Sequence, residues 1–329
     1  MEENLNYNNI KNFFKFDLNT PLQKIEENFI NEKNISLYIK RDDLIHPFIN
    51  GNKWYKLKYN LIEASELGLK NLLTFGGAYS NHIYAFSYAC KTFGFNGIVV
   101  IRGEEYKKLN PTLEFVSNCG VSIQYFSRSK YKSKYSEDLL YKLNKLYGDY
   151  YLIPEGGSNK LAVKGCEEIT SNINCSFDYV ITACGTAGTL TGITKSLKSN
   201  QKAIGISVLK NGNFLYDEVN KLSEQNLDNY KIKLNYHFRG YAKFNDDLID
   251  FIRSIYSKHN IILEPIYTGK VLFAVYDLIS KNFFKSGSTI VVYHSGGLQG
   301  YQGLLKYQKI NQLFKIFNWS EYEKCIIKK

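Results

Sequence analysis

Gly51-Asn52-Lys53 near the start and Gly185-Thr186-Ala187-Gly188-Thr189 in the middle decide how this chain folds. The first places a lysine behind a tight turn, directly after the charged run Lys40-Arg41-Asp42-Asp43-Leu44. The second is a small-residue turn between the apolar run Tyr179-Val180-Ile181-Thr182-Ala183-Cys184 and a helical pattern. Strand, glycine turn and helix together present backbone N–H groups and a positive helix end to an anion. A lysine amine plus such a loop is the minimum equipment for pyridoxal 5′-phosphate, which needs a Schiff-base partner and an anion site. The two stretches predict an α/β fold and an enzyme that works on an amino acid.

Working outward, short β-rich runs alternate with helical patterns. Strands are expected at 72–75, 97–102, 122–126, 151–153, 179–184, 203–208 and 288–293, with helices over about 80–93 and 135–146. Near-continuous apolar strands separated by helices indicate parallel sheets covered on both faces. Glycine-bearing loops follow several of these strands: Gly76 to His82, Gly156-Gly157-Ser158-Asn159, the 185–189 loop and His294-Ser295-Gly296-Gly297. Open α/β sheets bind ligands at such strand C-termini. A shared cleft between two open, twisted α/β lobes is therefore expected. The smaller lobe should span 55–155, and the larger, cofactor-binding one 1–54 plus 156–329.

Composition limits the alternatives. The 329 residues are 44% hydrophobic, enough for a sizeable core. The net charge of +11 comes from 42 Lys and Arg against 31 Asp and Glu, mostly scattered lysines. No dense basic run or nucleic-acid motif accompanies it, so a solvated lysine surface is expected, with no nucleic-acid partner. Six cysteines without a C-x-x-C or a Cys/His cluster exclude a zinc site or disulfide scaffold and suit a reducing compartment. The polar N-terminus, Met1-Glu2-Glu3-Asn4-Leu5-Asn6, does not resemble a secretory signal. Apolar runs stop well short of the ~18 residues of a membrane span, so a cytoplasmic protein without metal or membrane partner is expected.

Six segments in register resemble the 1-aminocyclopropane-1-carboxylate deaminase and D-cysteine desulfhydrase family, of the fold-type-II pyridoxal-phosphate enzymes (tryptophan synthase β-like). They are Thr20-Pro21-Leu22, Lys40 to Leu44, Gly51-Asn52-Lys53 with Lys56-Leu57, Gly76 to Asn81, Pro265-Ile266-Tyr267-Thr268-Gly269-Lys270, and His294-Ser295-Gly296-Gly297. The resemblance implies that Lys53 is the Schiff-base lysine and that the protein is a homodimer. A partly desolvated amine holds its proton less tightly and becomes nucleophilic. Tyr55 and Leu57 alternate with lysines so as to hold one amine inward. The family usually carries Arg where this chain has Tyr55.

Gly185, Thr186, Ala187, Gly188 and Thr189 are expected to grip the cofactor phosphate. About four charge-assisted hydrogen bonds, at ~1.5–3 kcal/mol each, amount to on the order of 6–12 kcal/mol before entropy losses. Micromolar binding needs ~8 kcal/mol, so the loop suffices. Ser80 reads as a helix N-cap, and an open helix N-terminus is itself an anion site. The resemblance adds that Asn81 contacts the cofactor and that Ser80, Asn81 and His82 receive the substrate carboxylate. His82 stands where the deaminases have Gln, and an imidazole can bind a carboxylate or move a proton.

Tyr241 and Tyr267 match two active-site tyrosines of the family, able to donate a proton or stack on a ring. Thr268 and Ser295 bear on the reaction. The ring-opening deaminases carry Glu and Leu there, whereas the desulfhydrases carry small hydroxyl residues. A carboxylate beside the pyridine nitrogen keeps the ring a strong electron sink, and a hydroxyl leaves it closer to neutral. Expelling a thiolate needs less of a sink than breaking a carbon–carbon bond. The expected reaction is therefore α,β-elimination from a small amino acid, D-cysteine first. The rivals are a 1-aminocyclopropane-1-carboxylate deaminase and a non-catalytic or regulatory homologue.

Overall fold

The computed structural model describes residues 2–15, 19–105 and 107–327. Met1 of the polar N-terminus, and residues 16–18, 106 and 328–329 of the two expected lobes, lie outside the described residues. Among the described residues ten strands form two sheets. They are β1 (Leu22–Ile25), β2 (Ser36–Lys40), β3 (Asn71–Gly76), β4 (Asn96–Arg102), β5 (Ser122–Phe126), β6 (Tyr150–Ile153), β7 (Tyr179–Cys184), β8 (Lys202–Ser207), β9 (Tyr230–Lys233) and β10 (Thr289–Tyr293). The larger sheet runs β1-β2-β10-β7-β8-β9, parallel except for β1, which pairs antiparallel with β2. The smaller runs β5-β4-β3-β6 and is wholly parallel.

Alternation along the strands explains why both faces of each sheet are covered. In β4, Val99 and Ile101 join the core shared with the larger sheet, while Ile98 and Val100 face a separate cluster with Phe75 and Tyr131. In β10, Val291 points to the shared core, and Ile290 and Val292 point to the helices Asp246–His259 and Thr268–Ser280. Side chains two apart share a face, so each apolar run supplies two layers at once. Seven of the ten strands match the sequence reading. The other three, β1, β2 and β9, were not singled out beforehand.

The topology decides where a site can form. Parallel strands share one C-terminal edge. The loops after β3 and β6 of the small sheet meet those after β7 and β10 of the large one. The helix Asn52–Glu66 threads between them, with Trp54, Tyr55, Lys56, Leu57, Asn60 and Leu61 all buried. A helix covered on nearly every side belongs to the interior, so even its polar residues must find partners there.

Candidate active site

The charged run that precedes the glycine turn is buried. Lys40 pairs with Asp42 at 3.0 Å, and Arg41 forks onto Asp43 through two bonds of 2.9 Å. Asp42 also accepts from Thr20 Oγ1 at 2.5 Å and from the Tyr55 hydroxyl at 2.9 Å. Tyr55, standing where the family usually has Arg, thus supplies a neutral donor to the same carboxylate. The Asp42 carbonyl takes the Gly51 N–H at 2.8 Å and so starts the turn. Gly51 has φ +56°, and a Cβ there would lie 2.0 Å from the Ser295 carbonyl oxygen. Only glycine lets this turn press on the His294–Gly297 loop.

That turn launches two lysines into one space. Lys56 is 1% exposed. Its amine donates to Ser158 Oγ at 2.8 Å, to the Gly156 carbonyl at 3.1 Å and to Thr186 Oγ1 at 3.3 Å. Lys53 reaches only the Gly156 carbonyl, at 3.4 Å. Among the described residues neither amine has a carboxylate partner. Burial, and then the charge of Lys56, push the Lys53 amine well below its ordinary range, and burial lowers Lys56 as well. One inward amine was expected and two are found. The cause is helical period, since residues three apart share a face.

The 185–189 loop closes the space. Ser158 Oγ donates to Thr186 Oγ1 at 2.7 Å, and Asn52 Nδ2 donates to Thr189 Oγ1 at 2.9 Å. The helix Gly188–Ser196 begins after Ala187, which has no side chain to cap it. Its first N–H groups therefore lack a side-chain acceptor and face the same space as the two lysines. A Cβ on Gly188 would stand 2.9 Å from Ser158 Oγ and 3.3 Å from the Lys56 amine.

From the small sheet comes the helix Asn81–Phe93. Ser80 caps it, accepting from the His82 N–H at 3.2 Å. Asn81 accepts from Gln299 Nε2 at 2.6 Å and lies against Gly297, where a Cβ would fall 2.1 Å from its amide nitrogen. His82 is buried. Its Nε2 lies 2.8 Å from Thr74 Oγ1, whose own proton goes to the Ile153 carbonyl at 2.7 Å. Thr74 must therefore accept, which fixes the proton of His82 on Nε2 and leaves Nδ1 a bare acceptor. That Nδ1 has no hydrogen-bond partner. Burial, then the charges of Lys53 and Lys56, hold His82 well below its ordinary value. Burial and the two amines thus favour its neutral form.

The fourth wall comes from the segment before helix Thr268–Ser280. Tyr267 donates to the Tyr241 hydroxyl at 2.9 Å, and its ring lies 3.4 Å from where a Gly185 Cβ would stand. Burial, with Tyr241 beside it, raises the Tyr267 phenol well above its ordinary value, so it keeps its proton. Tyr241 leaves half its surface open. The Thr268 hydroxyl is committed to Glu264, 3.1 Å from both its N–H and its Oε1. Glu264 also accepts from the N–H groups of Ile266, Tyr267 and Thr268 at 2.6–3.1 Å. Its charge is spent on the helix N-terminus.

Two amines without a carboxylate partner and an uncapped helix N-terminus form a donor-rich space that an anion completes. These residues fit pyridoxal 5′-phosphate. The 185–189 N–H groups, Thr186, Thr189, Ser158 and Lys56 would hold the phosphate, and Lys53 lies beside them. The structure gathers Lys53, Ser80, Asn81, His82, Tyr241, Tyr267, Ser295 and the 185–189 loop around this space, adds Lys56 and Ser158, which the sequence reading did not name as site residues, and turns the Thr268 hydroxyl away to Glu264. The helical spacing from Lys53 was the available signal for Lys56. Ser158 already stood in a singled-out glycine loop.

The family model for pyridoxal-phosphate dependent enzymes matches residues 14–296. The chain is 30% identical over 295 residues to a putative 1-aminocyclopropane-1-carboxylate deaminase of Pyrococcus horikoshii, covering 85% of this chain and 90% of that protein. It is 30% identical over 321 residues to the mitochondrial bifunctional D-cysteine desulfhydrase/1-aminocyclopropane-1-carboxylate deaminase of Arabidopsis thaliana, covering 87% and 77%. A crystal structure of an ACC deaminase homologue superposes with a TM-score of 0.76 at 27% identity, covering 92% of this chain and 98% of that one. Among the described residues no helix is long and apolar enough to cross a membrane.

Proposed function

The chain belongs to the pyridoxal-phosphate dependent enzymes, in the 1-aminocyclopropane-1-carboxylate deaminase/D-cysteine desulfhydrase family, and from that membership we propose that it catalyses α,β-elimination from D-cysteine. The products are pyruvate, ammonia and hydrogen sulfide. When bound, pyridoxal 5′-phosphate supplies the electron sink that stabilises charge at the substrate's α-carbon.

In this reading Lys53 is the lysine that carries the cofactor. Its single 3.4 Å contact leaves it free to react, whereas three contacts hold Lys56 at the phosphate loop. Once substrate has taken its place, the Lys53 amine accepts the α-proton; the burial that lowers its proton affinity favours the free amine the step requires. The N-terminus of helix Asn81–Phe93 receives the substrate carboxylate, with Ser80 and Asn81 orienting it. Tyr267, still protonated, donates a hydrogen bond to the departing thiolate. Water converts the released enamine into pyruvate and ammonia.

The choice of reaction rests on Thr268 and Ser295, small hydroxyl residues where the ring-opening deaminases carry Glu and Leu; with the Thr268 hydroxyl turned to Glu264, what counts at 268 is that no carboxylate stands there. The nearby carboxylate, Glu264, is occupied by backbone N–H groups. Ring opening of 1-aminocyclopropane-1-carboxylate is the second reading, favoured by the names of the archaeal and plant relatives. The proposal includes a cytoplasmic homodimer, and six unpaired thiols suit a reducing compartment.

Pyruvate released from D-cysteine and 2-oxobutanoate released from the cyclopropane substrate, measured side by side, decide between the two. We expect kcat/KM for D-cysteine to exceed that for the cyclopropane by at least about tenfold. The reverse preference would replace the first reading by the second.

A further inference from the structure

Residues 237–243 fold as two consecutive turns that share Gly240. The Gly240 N–H donates to the His237 carbonyl at 2.9 Å, and the Lys243 N–H donates to the Gly240 carbonyl at 3.2 Å. The backbone is strained. Phe238, Arg239 and Ala242 take φ of +50°, +72° and +53°, a region that side-chain-bearing residues rarely occupy. Such conformations persist only where the surroundings over-determine them, and they gather at ligand clamps.

Lys270 supplies that constraint. It is fully buried, one turn into the helix that Tyr267 precedes. Its amine donates to both turn-closing carbonyls, His237 at 3.0 Å and Gly240 at 3.1 Å. The Phe238 ring packs edge-on against Phe273 of the same helix, 5.1 Å between centroids. The second turn carries Tyr241, whose hydroxyl meets Tyr267. Helix and loop thus touch at an amine clamp, a ring contact and a tyrosine pair.

We propose that Lys270 is a positioning residue: it clamps the strained loop 237–242 so that Tyr241 sits on Tyr267, and the two tyrosines act as one unit. This rests on the reading of Tyr267 as the group that meets the substrate. Lys270 touches neither substrate nor cofactor and acts through Tyr241.

The test uses the cofactor-loaded protein with Lys270→Met, Lys270→Arg, Tyr241→Phe and the double variant Lys270→Met/Tyr241→Phe. Hydrogen exchange of the 238–243 amides reports the clamp without reference to activity. We expect Lys270→Met to speed that exchange at least about tenfold, with cofactor absorbance retained. It should lower kcat by about tenfold while leaving KM within about twofold. In the Tyr241→Phe background the same change should cost less than about twofold, because the path it acts through is already cut. Lys270→Arg, which keeps two donors, should stay near wild type in exchange, and it answers the question if the Met variant fails to fold. Unchanged exchange in Lys270→Met, or exchange in Lys270→Arg as fast as a freed loop, overturns the clamp. An equal loss of kcat in both tyrosine backgrounds overturns its action through Tyr241. If Tyr267→Phe leaves turnover intact, the role of Tyr267 falls, and exchange still decides the clamp.

Discussion

The amines of Lys53 and Lys56 converge on one acceptor, the carbonyl oxygen of Gly156, at 3.4 and 3.1 Å. Two cations in a desolvated space repel each other, which lowers the proton affinity of Lys53. A phosphate beside Lys56 would relieve that repulsion. In the proposed reading the two lysines divide the work: Lys56 grips the phosphate and Lys53 reacts.

Lys56→Ala removes an amine with three polar partners at the phosphate loop. A charge-assisted bond is worth ~1.5–3 kcal/mol, so cofactor affinity should fall roughly ten- to hundredfold. Equilibrium titration of the apo-protein with cofactor measures this. Affinity within about twofold of wild type would place the phosphate elsewhere.

Gly188→Val puts a branched side chain where a Cβ already approaches Ser158 Oγ at 2.9 Å and the Lys56 amine at 3.3 Å. The loop must shift or lose a bond to the anion. Retention of the cofactor through gel filtration should drop by at least about tenfold in affinity, ~1.4 kcal/mol. A folded Gly188→Val protein that keeps its cofactor would count against this loop as the cradle.

His82 makes stability depend on acid. Burial and the two lysine charges depress its folded value, while the unfolded histidine titrates near its ordinary 6.5. As pH falls below that value the unfolded chain takes up a proton that the folded one refuses, and stability declines. Each such group contributes a slope approaching about 1.4 kcal/mol per pH unit. His294, lowered by burial, and His46, lowered to about 4 by burial, act in the same sense. His82→Gln should therefore flatten the loss between pH 6.5 and 5.5 by up to about one proton's worth, read from urea midpoints. An unaltered slope would show that His82 is charged, or open to solvent, in the folded protein.

Most of this arrangement can be read from the sequence, and the exceptions have physical reasons. β3, β4, β7, β8 and β10 stand out because both faces of their sheets are covered, which makes them near-continuous apolar runs, and the edge strands β5 and β6 show through their aromatic and aliphatic residues. β9, Tyr230-Lys231-Ile232-Lys233, is an edge strand that buries only Ile232 and so gives no such run. Lys40 to Asp43 looks like a solvated run, yet each charge finds its partner two residues away. Tyr55 as a partner of Asp42, and Lys270 as a clamp on a loop 30 residues distant, depend on tertiary contacts that no local pattern encodes. The glycine turns were legible because backbone approach leaves no other residue possible. Glu264 was overlooked because its role appears only once Thr268 is seen to begin a helix.

Borohydride reduction of the cofactor-loaded protein, followed by peptide mapping, tests the central claim most directly. The pyridoxyl group should be found on Lys53, and Lys53→Ala should lose the near-visible absorbance of covalently held cofactor while keeping its fold. A pyridoxyl group on Lys56, or a Lys53→Ala protein that retains that absorbance, would contradict the division of work between the two lysines.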